Sequence, residues 1–399
     1  MMNEPLDDIF PEPSILSWCE VSASALRDNV VDFKRRVDET VLLGVVVKSN
    51  AYGHGLPDCA RIMRDAGADW LIVNSLAEAT ALREAQIESP LYICGPISPA
   101  QASAVVRARS RVVAYDRDVI DALSQAGRSA GWTVPIHLKL ETGTHRQGVA
   151  LDDLNSLARQ IRDTVGITLE GLTTHYADIE DTTNHAFAMA QLQSLKDAEE
   201  TLRNNGLHIP MVHSANSAAT ILWPETYGNL VRVGIAAYGL WPSRETYATA
   251  LQRAADTRGG YLLPELRPAL SWRTRVAHIN EVASGDFVGY GRTFRATSPM
   301  RLAVLPVGYY EGYKRSLSNA AYVLIHGVRA PVRGRVCMNM CMVDVTHLPD
   351  VRVGDTATLI GADGEERISA EQLAEWMDTI NYEMVSSIHA DQPRIVVNK

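Results

Sequence analysis

The chain lacks any uninterrupted apolar run near the ~18 residues that suggest a membrane-spanning helix. The stretch VLLGVVV at 41–47 stops at Lys48. It also lacks a basic surplus. Against 47 Asp and Glu stand 38 Lys and Arg, for a net charge of −9, which disfavours generic nucleic-acid binding. There is no cysteine framework. Cys19, Cys59, Cys94, Cys337 and Cys341 form no CxxC or CxxH pattern, so they read as reduced thiols and not as disulfides or a zinc site. The opening stretch MMNEPLDDIFPEPS is acidic and lacks the basic and apolar regions of a secretory signal. A cytoplasmic location is the expectation. No HxH, HExxH or carboxylate cluster points to a divalent metal. No GxGxxG loop follows the first apolar run, which weighs against an open doubly wound sheet.

What is present is a recurring unit. With 399 residues, 46% of them hydrophobic, the chain has the material for about two or three domains. Eight apolar, β-branched runs occur before residue 240: VLLGVVV, WLIV, LYIC, RVVAY, VPIHLKL, ITLEGLTTH, IPMVH and LVRVGIAAYG. Between them lie amphipathic segments such as LDDLNSLARQIRDTVG, with apolar residues at i, i+3, i+4 spacing. Continuous apolar strands alternating with amphipathic helices imply a parallel sheet covered on both faces. Eight units in about 250 residues predict a (β/α)8 TIM barrel over residues 1–260. After residue 260 the segments alternate and carry Gly and Pro, which predicts a smaller, mostly antiparallel β domain over 261–399. The run ILSWCEV at 15–21 can be a strand of either domain, the C-terminal one included. In ISAEQLAEWMDTI, Ser369 followed by Gln372 predicts a capping box.

In such a barrel the chemistry sits at the C-terminal strand ends. Those ends deliver Lys48, Asn50, Tyr52 and His54, then Lys139, Glu141 and Arg146, then His175 and Tyr176, then His213, Asn216 and Ser217, then Arg232 with GIAAYG. No carboxylates pair, so glycosidase-type acid/base work is disfavoured. One amine, several cations and a Ser/Gly loop suit pyridoxal phosphate: the lysine forms a Schiff base and the cofactor acts as an electron sink.

These residues carry a resemblance. VVVKSNAYGHG is similar to the pyridoxal-phosphate signature of the alanine racemase family. LKLETGTHRQG, EGLTTHYA, HSANSAA, VRVGIAAYG, LSWRTRVAHI, GYGRTF, PVGYYEGY, GRVCMN and TINYE resemble further blocks of that family, in its order. The resemblance implies an N-terminal (β/α)8 barrel, a C-terminal β domain and a homodimer with shared active sites. It implies an amino acid racemase that interconverts L- and D-alanine for peptidoglycan. Lys48 is then the Schiff-base lysine and one base, and Tyr290 of the partner subunit is the other. Arg232 faces the pyridine nitrogen. Ser217, Gly234, Ile235, Tyr382 and Tyr52 bind or flank the phosphate, and His175 packs on the ring. Arg146 and Met338 serve the substrate carboxylate, Tyr309 lines the access corridor, and Lys139 matches a lysine carbamylated in some members.

The chain departs from the family pattern at Asn339, where Asp is common, at Glu141, at Thr144-His145 and in PVGYYEGY. These departures bear on which amino acid is taken. A racemase of serine, lysine or broad specificity is the alternative, ahead of a non-catalytic pyridoxal-phosphate carrier. A carrier would lack the β domain that holds Tyr290.

Overall fold

The structure, a computed structural model, describes residues 12, 14–256 and 260–398. Most of the acidic stretch MMNEPLDDIFPEPS lies outside the described residues. The chain divides into two compact units. One holds the described residues within Met1–Ala25, Tyr52–Gly55 and Pro268–Lys399; the other holds Leu26–Ala51 and Leu56–Arg267.

The first described strand, β1 (Ser17–Ser22), belongs to the first of these units. The second unit is the barrel. Its strands are β2 (Leu42–Val46), β3 (Trp70–Val73), β4 (Leu91–Ile93), β5 (Ser110–Ala114), β6 (Val134–Lys139), β7 (Ile167–Thr173), β8 (Met211–His213) and β9 (Leu230–Val233). They run in the order β8-β7-β6-β5-β4-β3-β2-β9, and every neighbouring pair is parallel. The remaining seam, β8 to β9, is bridged from flanking residues: Asn229 donates its N–H to the Val212 carbonyl at 2.9 Å, and Arg232 to that of Ala215 at 3.0 Å. The eight apolar runs of the sequence are thus the eight strands of a nearly closed barrel.

Local chemistry sets the helices. Ser75 and Glu78 form a full capping box at the start of Leu76–Glu84. Asp116 caps Arg117–Ala130, which ends on Gly131 in the left-handed region. Helix Leu151–Asp163 buries Leu154, Leu157, Ala158 and Ile161, the i, i+3, i+4, i+7 stripe expected of a face packed on a sheet. Each Leu or Ile buried this way contributes roughly 1.5–3 kcal/mol.

The other unit is a β domain. Its seven-stranded sheet runs Val328–Pro331, Tyr322–Ile325, Thr356–Asp363, Leu270–Arg275, β1, Arg394–Val397, with Glu366–Ile368 beside Thr356–Asp363. β1 is antiparallel to Leu270–Arg275 and parallel to Arg394–Val397. A three-stranded sheet joins His278–Val282, Met300–Leu305 and Cys341–Asp344. The core gathers on Trp272, Tyr313, Val323 and Leu359. Only half of the expected capping box forms at Ser369. Its hydroxyl accepts the Gln372 N–H at 3.1 Å, but the Gln372 side chain accepts the Tyr322 hydroxyl at 3.5 Å instead of turning back.

Candidate active site

The barrel unit places Lys48, Lys139, Arg146, His175, Ser217, Arg232, Gly234 and Ile235; the β unit places Tyr52, Tyr290, Tyr309, Met338 and Tyr382. Each group has its own geometry.

Lys48 follows β2 directly. The segment beyond it is a tight left-handed turn: Ser49, Asn50, Ala51 and Tyr52 have φ of 55°, 55°, 53° and 52°. Left-handed residues cost about 1–2 kcal/mol each, and runs of them are rare. Polar contacts offset that cost. Ser49 donates its N–H to the Glu78 carboxylate at 2.6 Å, and the Asn50 amide oxygen accepts the Leu56 N–H at 2.9 Å. The same Glu78 accepts from Asn74 and Ser75. The buried Tyr238 hydroxyl donates to the Val46 carbonyl at 3.0 Å, steadying the strand that presents Lys48.

Arg232, on β9, reaches across the barrel. Its Nη1 donates to Thr173 Oγ1 at 3.2 Å and His213 Nδ1 at 2.5 Å; its Nη2 donates to the carbonyls of Thr174 and Ser214, both at 2.9 Å. A guanidinium has five N–H donors. Four are therefore engaged, and the Nε–H has no partner among the described residues. No described carboxylate forms an ion pair with Arg232. Lys139 likewise pairs with no described carboxylate; it donates to Gln147 Oε1 at 3.1 Å. Burial, reinforced by Arg232 and Arg146, pushes its amine down to about 8.

Glu141 is the local anion, and it is already engaged. Burial pushes its carboxyl up, but N–H donation from Gly143, His145 and Arg146 and the Thr144 hydroxyl outweigh this and hold it down to about 2. Its role is to shape the loop that carries Arg146. His175 is pushed well below the usual imidazole range, first by burial and then by Arg232, Lys139, Arg146 and Lys48. It is neutral at pH 7, and four cations bear on it.

The Ser217 hydroxyl accepts the Gly234 N–H at 2.9 Å, so its own O–H remains to donate. Asn216 caps the short helix Ser217–Leu222, and Gly234 opens the single turn Ile235–Tyr238. Small residues and backbone donors of this kind admit an anion closely.

In the β unit, Tyr52 is buried, with its ring centroid 6.1 Å from that of Tyr382. Gly53 follows with φ +82°, and a Cβ there would lie 2.0 Å from the Val385 carbonyl oxygen. Tyr309 and Met338 are brought together by backbone pairing: Tyr309 donates to Cys337 O at 3.0 Å and Tyr310 to Met338 O at 2.9 Å. Both side chains are exposed, and Tyr290 is 74% exposed. Asn339, one of the departures, donates its amide to Glu311 Oε1 at 2.8 Å, and Gly308 donates its N–H to Oε2 at 2.8 Å. The amide at 339 therefore pairs with the Glu311 carboxylate, which would repel an Asp at that position.

Sequence reasoning gave no role to His137, Glu170, Arg111 or Glu78. The alternation of His137 with Lys139 along β6 was the one available sign that both face inward. Among the described residues no His, Cys, Asp and Glu cluster suits a metal, and no helix is long and apolar enough to cross a membrane.

Comparison with known proteins gives consistent results. Residues 21–242 match the family model for the alanine racemase N-terminal domain, and residues 269–396 that for its C-terminal domain. The chain is 36% identical over 386 residues to an alanine racemase of Leptospira interrogans, covering 96% of each chain. It is 38% identical over 379 residues to one of Symbiobacterium thermophilum, covering 95% and 96%. Among solved structures, an alanine racemase from Bacillus anthracis with bound L-Ala-P superposes with a TM-score of 0.88 at 33% identity, covering 96% of each chain. One from Streptomyces lavendulae gives 0.87 at 31%, covering 96% of this chain and 98% of that one.

Proposed function

We infer the function from one premise: the chain belongs to the alanine racemase family. Our reading is an amino acid racemase that interconverts L- and D-alanine, uses pyridoxal phosphate, works as a homodimer in the cytoplasm and supplies D-alanine for peptidoglycan.

One observation carries the cofactor reading. Lys48, Lys139, Arg146 and Arg232 all bear on the neutral His175, while the local carboxylate, Glu141, is spent on its own loop. With the Nε–H of Arg232 unspent, this donor set fits an anionic ligand with an aromatic nitrogen. Pyridoxal phosphate, when bound, supplies a phosphate and a ring that withdraws electrons from the substrate Cα.

The remaining chemistry belongs to the chain. The Ser217 hydroxyl and the N–H of Ile235 would hold the phosphate, with the Gly234 N–H bracing Ser217 Oγ; the family resemblance adds Tyr52 and Tyr382 to this set. His175 would lie against the ring. Arg232 can only donate, so it orients the ring nitrogen without giving it a proton. Arg146 and the backbone N–H of the partner's Met338 would hold the substrate carboxylate, with the partner's Tyr309 on the access path. Racemisation removes the Cα proton on one face and returns a proton on the other. Lys48 serves one face and the partner's Tyr290 the second, each as general acid and base. A lysine held near 8 is partly neutral at physiological pH, which supports carbamylation at Lys139: its amine adds to carbon dioxide and releases a proton. The product would carry a negative charge that Arg232 and Arg146, the cations acting on Lys139, would offset.

The test is direct. Purified chain is incubated with pyridoxal phosphate and a panel of L-amino acids, and the products are resolved by chiral chromatography. Alanine should approach equal amounts of both forms. Lys48→Ala should lower the rate by about 10³-fold or more. A chain that leaves L-alanine untouched, or a variant that racemises as fast, overturns the reading.

A further inference from the structure

We propose that Glu170 is a positioning residue of this site: with Arg111 it polarises a two-histidine relay, His137 and His213, that fixes both ring tautomers and holds Arg232 with its Nε–H turned to the cofactor. The proposal rests on the cofactor reading above.

The relay is continuous. Arg111 Nε donates to Glu170 Oε2 at 2.7 Å, with its guanidinium 4.4 Å over the Trp70 ring. The same Oε2 lies 2.9 Å from His137 Nε2. His137 Nδ1 lies 2.7 Å from His213 Nε2, and His213 Nδ1 lies 2.5 Å from Arg232 Nη1. Both imidazoles are buried. Tyr92 packs at 4.8 Å from the His137 ring and 5.8 Å from that of His213.

The two ends decide every proton between them. A guanidinium only donates, and an ionised carboxylate only accepts. His213 Nδ1 must therefore be bare, which puts its proton on Nε2. That N–H donates to His137 Nδ1, so the His137 proton sits on Nε2 and points at Glu170. All protons run one way, from Arg232 to the carboxylate. The opposite order would set two N–H groups face to face at Arg232. Burial, first among the causes, pushes both imidazoles below their ordinary range, in keeping with two neutral rings.

The fold has made room for this arrangement. Along β6 and β7, Ile136 pairs with Leu169 and His137 with Gly171. Glu170 is thus the extra residue of a bulge, a device that re-aims a side chain. A Cβ at Gly171 would lie 2.3 Å from His137 Nδ1, inside the ring's space. Arg232 forms no ion pair with a described carboxylate, and the relay reaches it through hydrogen bonds alone.

The experiment uses the whole chain with histidine nitrogens isotopically labelled for NMR. In the unaltered protein the two rings, recognisable by nitrogen–nitrogen coupling across their shared hydrogen bond, should both carry the proton on Nε2. A proton on Nδ1 of either ring overturns the proposal. Equilibrium dialysis against pyridoxal phosphate supplies the second readout. Glu170→Leu removes the acceptor and should mix the tautomers and weaken binding about 10- to 100-fold. Glu170→Gln keeps an acceptor oxygen and should stay within about threefold of the unaltered chain. Unchanged binding by a folded Glu170→Leu overturns the proposal. If that variant fails to fold, Glu170→Asp decides: its retracted carboxylate should weaken binding where Gln does not, and equal behaviour of the two overturns the proposal. If the unaltered chain fails to bind pyridoxal phosphate, the cofactor reading falls, and the ring-nitrogen spectra still judge the relay.

Discussion

Lys139 shows how far a single residue can be read. Its place at the end of an apolar strand was legible in VPIHLKL, because a barrel strand must end at the rim. Its electrostatics were not legible, since they come from Arg232 and Arg146 on other segments. The burial that drives its amine down to about 8 from 10.5 also makes a stability prediction. Below pH 8 both folded and unfolded chains are protonated there, and the full penalty for burying the charge is present. Between about 8 and 10.5 the unfolded chain binds a proton that the folded chain does not, so this residue's contribution to stability rises with pH. In urea denaturation of the unliganded chain, in bicarbonate-free buffer, Lys139→Met should be more stable below pH 8 by up to about 3 kcal/mol. That advantage should shrink to nothing by pH 10.5. A pH-independent difference would place the amine in water. Glu170 is the opposite case. Nothing in ITLEGLTTH separates it from an outward-facing strand residue, because its orientation depends on a bulge, and a bulge is set by register with a neighbouring strand.

At the scale of elements, the strands were legible because a parallel barrel buries both strand faces and leaves continuous apolar runs. The turn after Lys48 was not. SNAYGHG has the composition of any polar loop, and its left-handed course exists only because Glu78, Asn50 and buried packing hold it. The segment then enters the β unit at Tyr52–Gly55. There Gly53 presents its carbonyl to Arg394 Nε at 3.0 Å and its hydrogen-only Cα to Val385. A methyl group 2.0 Å from a carbonyl oxygen cannot be accommodated without moving the backbone. Gly53→Ala should cost about 2–4 kcal/mol, read as a lowered midpoint in denaturation. By contrast, Gly67→Ala, where a Cβ meets nothing within 4 Å, should cost about 1 kcal/mol, through φ alone. Equal effects at the two positions would remove the steric argument.

At the scale of the whole molecule, the assignment of Tyr290 to a partner subunit predicts complementation. Lys48→Ala and Tyr290→Phe chains, each inactive or nearly so, are unfolded together and refolded as a mixture. A mixed dimer then holds one site with both bases intact. Random pairing should restore roughly a quarter of the unaltered activity. If each chain supplied both bases to its own site, mixing would restore nothing.

The pairing of β1 with Arg394–Val397 has a consequence in time. During synthesis β1 leaves the ribosome before any barrel strand, yet one of its two neighbours is made only after every other described strand. The barrel can therefore assemble while β1 waits with an open edge, and the β unit is fastened last. Contacts this distant in sequence form late and slowly. Translation that stalls a few codons short of Arg394 would release a chain with a finished barrel and an unsealed strand, a species prone to edge-to-edge association.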